Sequence, residues 1–284
     1  MLRIGFHSSI SGGVHNAPME AAGMGCNAFQ IFTTSSRSWK NSTVKPEDGK
    51  LFVRYCKEKD LEPFAHIPYL CNPSSPNAEV YGKSRTMLAD NIMNCDALGI
   101  GCLVIHLGSH LGRGVDFGIG NICDMLGGVL DMDGKAEILL ENGSGYKNCV
   151  GSKFQDIGSI IDMLGSKRVG VCLDTCHAFA AGYDIGNRKL IDSIADEFHS
   201  SIGHARLGLV HLNDAKYGLG SGLDRHWHIG KGMIGEAGFA SFFSSKVFCV
   251  RPYIMELPDD NYGTHSGDLA AARRVIGMAC GEPI

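Results

Sequence analysis

No run of about 18 consecutive apolar residues occurs in the 284-residue chain, which argues against a membrane-spanning helix. Met1 to Gly13 holds a single basic residue and no apolar stretch of signal-peptide length, so a soluble, cytoplasmic protein without a membrane partner is expected. No C-x-x-C is present, and the 11 cysteines are odd in number and scattered from Cys26 to Cys280. A disulfide framework is therefore not expected; reduced thiols packed as small hydrophobes are. No G-x-G-x-x-G follows the first apolar run, which counts against a dinucleotide-binding sheet, and no linker or low-complexity tract divides the chain. There is no general basic coat for nucleic acid either, since the formal charge is −4. That sum counts every carboxylate and no bound cation; three divalent ions would shift it to about +2.

What is present is a recurring short apolar run that ends in a polar residue, spaced on average about 36 residues apart, as a βα repeat requires. The eight runs are Leu2–His7, Ala28–Thr33, Pro63–His66, Cys102–His106, Ala136–Glu141, Val169–Asp174, Leu207–His211 and Pro252–Glu256. Near-continuous apolarity is the mark of parallel strands buried on both faces. Between them, helical spacing or composition covers Pro18–Met24, Pro46–Lys59, Ser84–Leu98, Ile119–Leu130, Phe154–Leu164, Lys189–Ser201, Glu236–Phe243 and Gly267–Met278. With 44% apolar side chains the chain can bury one large core, and the alternation predicts a single (β/α)8 TIM barrel over 1–284. The stretches after the strands are long: Thr34–Lys45, Ile67–Gly82, Leu107–Val115, Gly143–Lys153, Ala178–Arg188 and Asn213–Gly235. In a barrel such loops build the active face.

The last residues of runs three to eight are His66, His106, Glu141, Asp174, His211 and Glu256, which barrel closure would bring to one spot. Any one alone reads equally well as a hydrogen-bonded polar residue at a strand top. Together with the i, i+3 pair Asp174 and His177 and the i, i+2 pair Asp224 and His226, they make five imidazoles and four carboxylates with no evident counter-cation. That mixture suits zinc better than magnesium, with manganese or iron as the alternative at one position. Nine donors are too many for one tetrahedral ion, so a polynuclear site of three ions sharing a carboxylate is expected. Clustered ions serve displacement at phosphorus, which makes phosphodiester hydrolysis the natural reaction class.

Two long stretches, Cys172-Leu173-Asp174-Thr175-Cys176-His177-Ala178-Phe179-Ala180-Ala181-Gly182-Tyr183-Asp184 and Val210-His211-Leu212-Asn213-Asp214-Ala215-Lys216, resemble the endonuclease IV family of abasic-site nucleases. Shorter matches lie at Ile4-Gly5-Phe6-His7, His106-Leu107-Gly108-Ser109-His110, Leu140-Glu141-Asn142 and Asp224-Arg225-His226, in order along nearly the whole chain. Gly143 and Leu257 stand where many relatives carry threonine, a departure that bears on supporting hydrogen bonds rather than on ligand identity.

The resemblance implies three zinc ions: one on His66, His106 and Glu141, one on Glu141, Asp174, His211 and Glu256, and one on His177, Asp224 and His226. It implies hydrolysis on the 5′ side of an abasic sugar in double-stranded DNA, leaving a 3′-hydroxyl, and removal of 3′-blocking groups. Glu141, Asp174 and Glu256 would be central to catalysis. Arg37 and Tyr69 match positions that enter the duplex when the damaged nucleotide is flipped out, and Lys231 is ranked first among the loop cations for phosphate contact. On the sequence alone Arg37 and Tyr69 read as a solvated loop charge and a loop-anchoring aromatic. His228 competes with His226 on spacing, and His7 and His110 are expected to line the pocket or hold supporting carboxylates. A monomer is the default. The rivals are a divalent-metal sugar isomerase or epimerase on the same barrel, and a catalytically silent barrel that binds DNA or metal.

Overall fold

In the structure, a computed structural model describing residues 2–36, 38–39, 43–249, 251–258, 260 and 263–280 (backbone alone at 278–280), the eight apolar runs are the eight strands of one parallel sheet. They are β1 (Ile4–Phe6), β2 (Ala28–Phe32), β3 (Glu62–His66), β4 (Cys102–His106), β5 (Glu137–Glu141), β6 (Val169–Asp174), β7 (Leu207–His211) and β10 (Tyr253–Met255). Their spatial order is β1-β10-β7-β6-β5-β4-β3-β2, so each strand neighbours its predecessor and the first pairs with the last. Helices α1 (Ala17–Gly23), α2 (Pro46–Glu58), α3 (Ala78–Leu98), α4 (Val115–Leu130), α5 (Phe154–Leu164), α7 (Ile191–Ser201), α8 (Gly235–Phe242) and α10 (His265–Cys280) surround them. This is a (β/α)8 barrel.

The sheet closes where β1 meets β2. His7 and Gln30 form a parallel bridge there, Ser8 N–H donates to Gln30 O at 2.7 Å, and Asn27 N–H donates to Ile4 O at 3.2 Å. Gly5 is required at this seam for close approach: a Cβ on it would lie 1.7 Å from Ala28 O. Inside the barrel, Ala28, Phe64, Val104, Leu139, Cys172, Leu209 and Ile254 form one buried layer, while a larger apolar cluster fills the space between strands and helices. Burying a side chain such as Phe64 contributes about 2–3 kcal/mol, so the inner layer fixes strand register as well as closure.

Prolines sit in the first turns of α1 and α2, where the missing N–H has no intrahelical partner to lose. Helix α3 starts six residues before the expected Ser84, because the Asn77 side chain accepts from Glu79 N–H and Val80 N–H and caps the first turn. Three elements go beyond the sequence expectation. A short helix α6 (Thr175–Ala181) follows β6 with no intervening loop, taking up part of the stretch expected to be irregular, and α9 (Lys246–Cys249) precedes β10. A two-residue antiparallel ribbon, β8 (Asp214–Ala215) with β9 (His226–Trp227), stands inside the loop after β7. Among the described residues nine cysteines are free thiols, as expected, and Cys249 is instead in a disulfide.

Candidate metal centre

Side chains on a strand alternate faces, so a residue two positions beyond an inward-pointing one also points inward. Counting two onward from Gly5 and from the seven residues of the inner layer gives His7, Gln30, His66, His106, Glu141, Asp174, His211 and Glu256. The apolar layer thus dictates a polar ring above it, at the C-terminal mouth where the long loops begin. Six of these eight are the strand-end residues singled out from the sequence. Gln30 escapes that reading, because it sits inside an apolar run as its one polar residue; the two-residue offset from Ala28 is the signal that would have found it.

Glu141 is at the centre and 1% exposed. One carboxylate oxygen lies 3.1 Å from His66 Nε2 and 3.0 Å from His106 Nδ1; the other lies 3.0 Å from His211 Nδ1 and 3.5 Å from His177 Nδ1. His211 Nδ1 is also 3.3 Å from Glu256 and 3.9 Å from Asp174. Helix α6 and the ribbon add the rest: Asp224 is 3.1 Å from His177 Nε2 and 3.4 Å from His226 Nε2, which is itself 3.4 Å from Asp174. All nine residues predicted as donors therefore converge. Their donor atoms form overlapping groups within 4.8 Å: His66, His106 and Glu141; Glu141, Asp174, His211 and Glu256; His66, His211 and Glu256; Asp174, His177 and His226. Asp224 joins the last group through its contacts to His177 and His226 and is the most exposed of the nine.

The surroundings hold these groups rigidly. The Asp174 side chain accepts from His177 N–H at 2.8 Å as the cap of α6 and from the Asn213 amide at 2.7 Å, and Asn213 Oδ1 accepts Glu256 N–H at 2.8 Å. Asn142 clasps the Asp174 backbone from both sides, accepting at 2.7 Å and donating at 3.2 Å. Thr175 Oγ1 donates to Asn213 O and accepts from Asn213 N–H, tying α6 to the loop after β7. Buried Asp214 accepts backbone N–H groups from Gly230, Gly232 and Ile234 at 3.0 Å each, and from Gly235, folding the 229–235 loop around one carboxylate.

Three imidazoles lean on carbonyls: His66 Nδ1 is 2.7 Å from Ile67 O, His177 Nδ1 is 3.0 Å from Asn142 O and His226 Nδ1 is 2.9 Å from Glu256 O. A carbonyl can only accept, so Nδ1 carries a proton and Nε2 is the nitrogen turned to the cluster, where a cation could take its lone pair in place of a proton. The buried Nε2 atoms of His177 and His226 have no hydrogen-bond partner. Among the described residues no lysine or arginine pairs with any of the four carboxylates. The protein balances their charge with imidazoles. Burial pulls His177 and His211 toward neutrality, but the carboxylates around His177, and Cys172 with Glu256 and Glu141 around His211, outweigh it and hold both well above the ordinary histidine range. Burial likewise opposes ionisation of Glu141 and Glu256, yet the surrounding imidazoles keep both well below the usual carboxylate range. For His7 and His106 burial wins, and both are lowered. Orphaned nitrogens aimed at acceptor-only carboxylates are what divalent cations would complete, so the donor set fits the expected metal ions.

The remaining candidates are distributed unequally. Tyr69 stands at the rim, 64% exposed, its ring stacked at 5.9 Å on His106, and lines the cleft with Asn72, Tyr146 and Asp224. Lys231 is exposed in the turn that Asp214 organises, and Lys216 lies over the Trp227 ring at 4.3 Å. Arg37 falls outside the described residues. His228 points away from the cluster, between Asp268 at 2.8 Å and Asp260 at 2.9 Å, which leaves His226 alone facing it. His110 is not a support for carboxylates: its Nδ1 accepts the backbone N–H groups of Gly112 and Gly114. His7 does lie in the polar ring, 3.6 Å from Glu256.

A (β/α)8 barrel with a ring of histidines and carboxylates at its C-terminal mouth defines a class, and residues 19–277 match the model of the xylose isomerase-like TIM barrel family. Within that class the chain is 42% identical over 282 residues to a protein named "Probable endonuclease 4" from Cenarchaeum symbiosum, covering 97% of this chain and 100% of the relative. It superposes on endonuclease IV from Thermus thermophilus with a TM-score of 0.83 and 32% identity, covering 99% of this chain and 100% of that one. The chain belongs to the endonuclease IV family. A D-tagatose 3-epimerase-like protein shares the barrel at a TM-score of 0.76 but 18% identity, with 99% of each chain covered, a likeness of fold alone.

Proposed function

We propose that the protein is a zinc-dependent AP endonuclease. It hydrolyses the phosphodiester bond 5′ to an abasic site in double-stranded DNA, leaves a 3′-hydroxyl and a 5′-deoxyribose phosphate, and removes 3′-blocking groups in base excision repair. It works in the cytoplasm, as a monomer. The observation that carries this reading is the convergence of eight donors in overlapping groups, with Asp224 beside His177 and His226 as the ninth, at the rim of the barrel.

His66, His106 and Glu141 would hold one ion, Glu141, Asp174, His211 and Glu256 a second, and His177, Asp224 and His226 a third, with manganese or iron the alternative to zinc at one position. When bound, the ions supply Lewis acidity: they bring water toward ionisation near neutral pH and neutralise charge on phosphoryl oxygens. The chain's own residues set where that chemistry happens. Glu141 and Glu256 are held ionised by the imidazoles around them, Asn142 and Asn213 fix the backbone of Asp174 and Glu256, and Tyr69 offers an exposed aromatic ring beside His106. A lesion without a base has already lost stacking, so it is the cheapest nucleotide to turn out of the helix, and Tyr69 replaces part of what is missing. Arg37 would enter the duplex beside it, and Lys231 would meet a phosphate.

The test is incision of an end-labelled duplex carrying one tetrahydrofuran abasic analogue. Cleavage 5′ to the analogue, abolished by chelator and restored by zinc chloride, is expected. No cleavage by zinc-loaded protein, with turnover of a ketohexose instead, would overturn the nuclease reading in favour of a sugar isomerase or epimerase. Tyr69→Ala is expected to weaken binding to the abasic duplex about tenfold, the scale of one lost stacking contact, while leaving binding to an intact duplex nearly unchanged. Fluorescence anisotropy on the two duplexes measures the difference; equal losses on both would remove Tyr69 from lesion recognition.

A further inference from the structure

Gln30 is neither a histidine nor a carboxylate, yet it touches the polar ring at three points and is 0% exposed. Its Nε2 is 2.8 Å from Glu256 Oε1 and 3.0 Å from His7 Nδ1, and its Oε1 is 2.9 Å from His211 Nε2. These contacts leave one consistent proton arrangement. An ionised carboxylate only accepts, so the amide NH2 must face Glu256, and its second N–H meets His7 Nδ1. The amide oxygen is then turned to His211, whose Nε2 must carry a proton to donate. His211 Nδ1 is then the nitrogen turned toward Glu141, Asp174 and Glu256, hydrogen-bonded to Glu141 at 3.0 Å, and its lone pair would go to a cation bound among them.

We infer that Gln30 is a positioning residue that sets the His211 tautomer and the rotamer of Glu256 for the second ion, an inference that rests on the metal reading above. The comparison within the site sharpens it. His66, His177 and His226 have their protons fixed by backbone carbonyls that cannot turn away. In His211 the same task falls to a side chain from β2, a strand that contributes no donor of its own. The amide also sits at the seam, since Gln30 and His7 form the bridge that closes the barrel. One side chain therefore ties β2, β1, β7 and β10 together at the metal-facing layer.

The experiment reads zinc affinity and protonation rather than turnover. Gln30→Met keeps length and shape but removes both the donor and the acceptor. Competition with a fluorescent chelator is expected to show the weakest-retained zinc bound about 10- to 100-fold less tightly than in the unaltered protein, the range typical for partners that orient metal-binding imidazoles. Long-range 1H–15N spectra of the zinc-loaded, histidine-labelled protein should show His211 protonated at Nε2, slow to exchange, with that signal lost or averaged in Gln30→Met. A His211 proton on Nδ1 in the unaltered protein would overturn the inference even if the variant failed to fold. So would a folded Gln30→Met with unchanged zinc affinity and an unchanged His211 signal. Unaltered protein that binds no zinc would instead remove the metal reading, and this inference with it.

Discussion

Glu141→Gln is expected to reduce incision of an abasic duplex at least about 10³-fold, and to release zinc, while the protein stays folded. A bridging donor should cost more than the 10- to 100-fold typical of an outer partner. The reason is positional. Among the described residues Glu141 alone lies within 3.5 Å of four imidazoles, at His66, His106, His211 and His177. An amide of the same shape keeps the packing but offers one acceptor where two were needed, and turns two N–H groups toward nitrogens that should carry lone pairs. Such a rate loss corresponds to about 4 kcal/mol of transition-state stabilisation. Zinc content by atomic emission alongside single-turnover incision separates the readings. Full zinc with normal incision would show that Glu141 does not bridge; full zinc with lost incision would confine it to the chemical step.

The second large effect is on stability. Asp214→Ala is expected to destabilise the fold by about 3–5 kcal/mol, since leaving a buried donor without an acceptor costs about 1–3 kcal/mol and four are affected. The carboxylate accepts from Gly230, Gly232, Ile234 and Gly235, and Gly232 packs against it so closely that a Cβ would lie 2.5 Å from Asp214 Oδ1. Part of the loss is recovered where water can reach the half-buried amides, which keeps the figure below the full sum. Urea unfolding gives the magnitude, and limited proteolysis should cut first within 229–235, the turn that carries Lys231. A change under about 1 kcal/mol, with no new cleavage there, would mean that the loop keeps its shape without Asp214.

The sequence reveals most of the barrel because its strands are buried on both faces, and unbroken apolarity is hard to mistake. The donors at their ends are legible for a related reason: six polar residues each closing an apolar run share a position in the repeat. What hides is local. Helix α6 begins directly after Asp174, whose side chain serves at once as strand end and helix cap, so no turn residues announce the change. The ribbon of β8 and β9 pairs two residues with two across a ten-residue gap, too short for any periodicity to register. That ribbon separates His226 from His228: spacing treats them alike, but the ribbon ends at Trp227 and the chain turns, carrying His228 to Asp260 and Asp268. Gln30 is invisible for the opposite reason, being a lone polar residue in a run whose apolarity is the very signal followed. The assignment of Arg37 and Tyr69 to the duplex comes from resemblance, since a lone arginine or tyrosine has no pattern of its own.

The pairing of β1 with β10 also governs when the ring of donors can be completed during synthesis. Residues 4–6 leave the ribosome first and must wait for residues 253–255 before either has its neighbour. Glu256 and His7, adjacent in the ring, are thus the last and first of its members to be made. A nascent chain holding seven strands has an open edge and an incomplete set of donors, and closure over so long a sequence separation is slow compared with local helix formation. The complete set of donors is consequently assembled only when the final strand arrives.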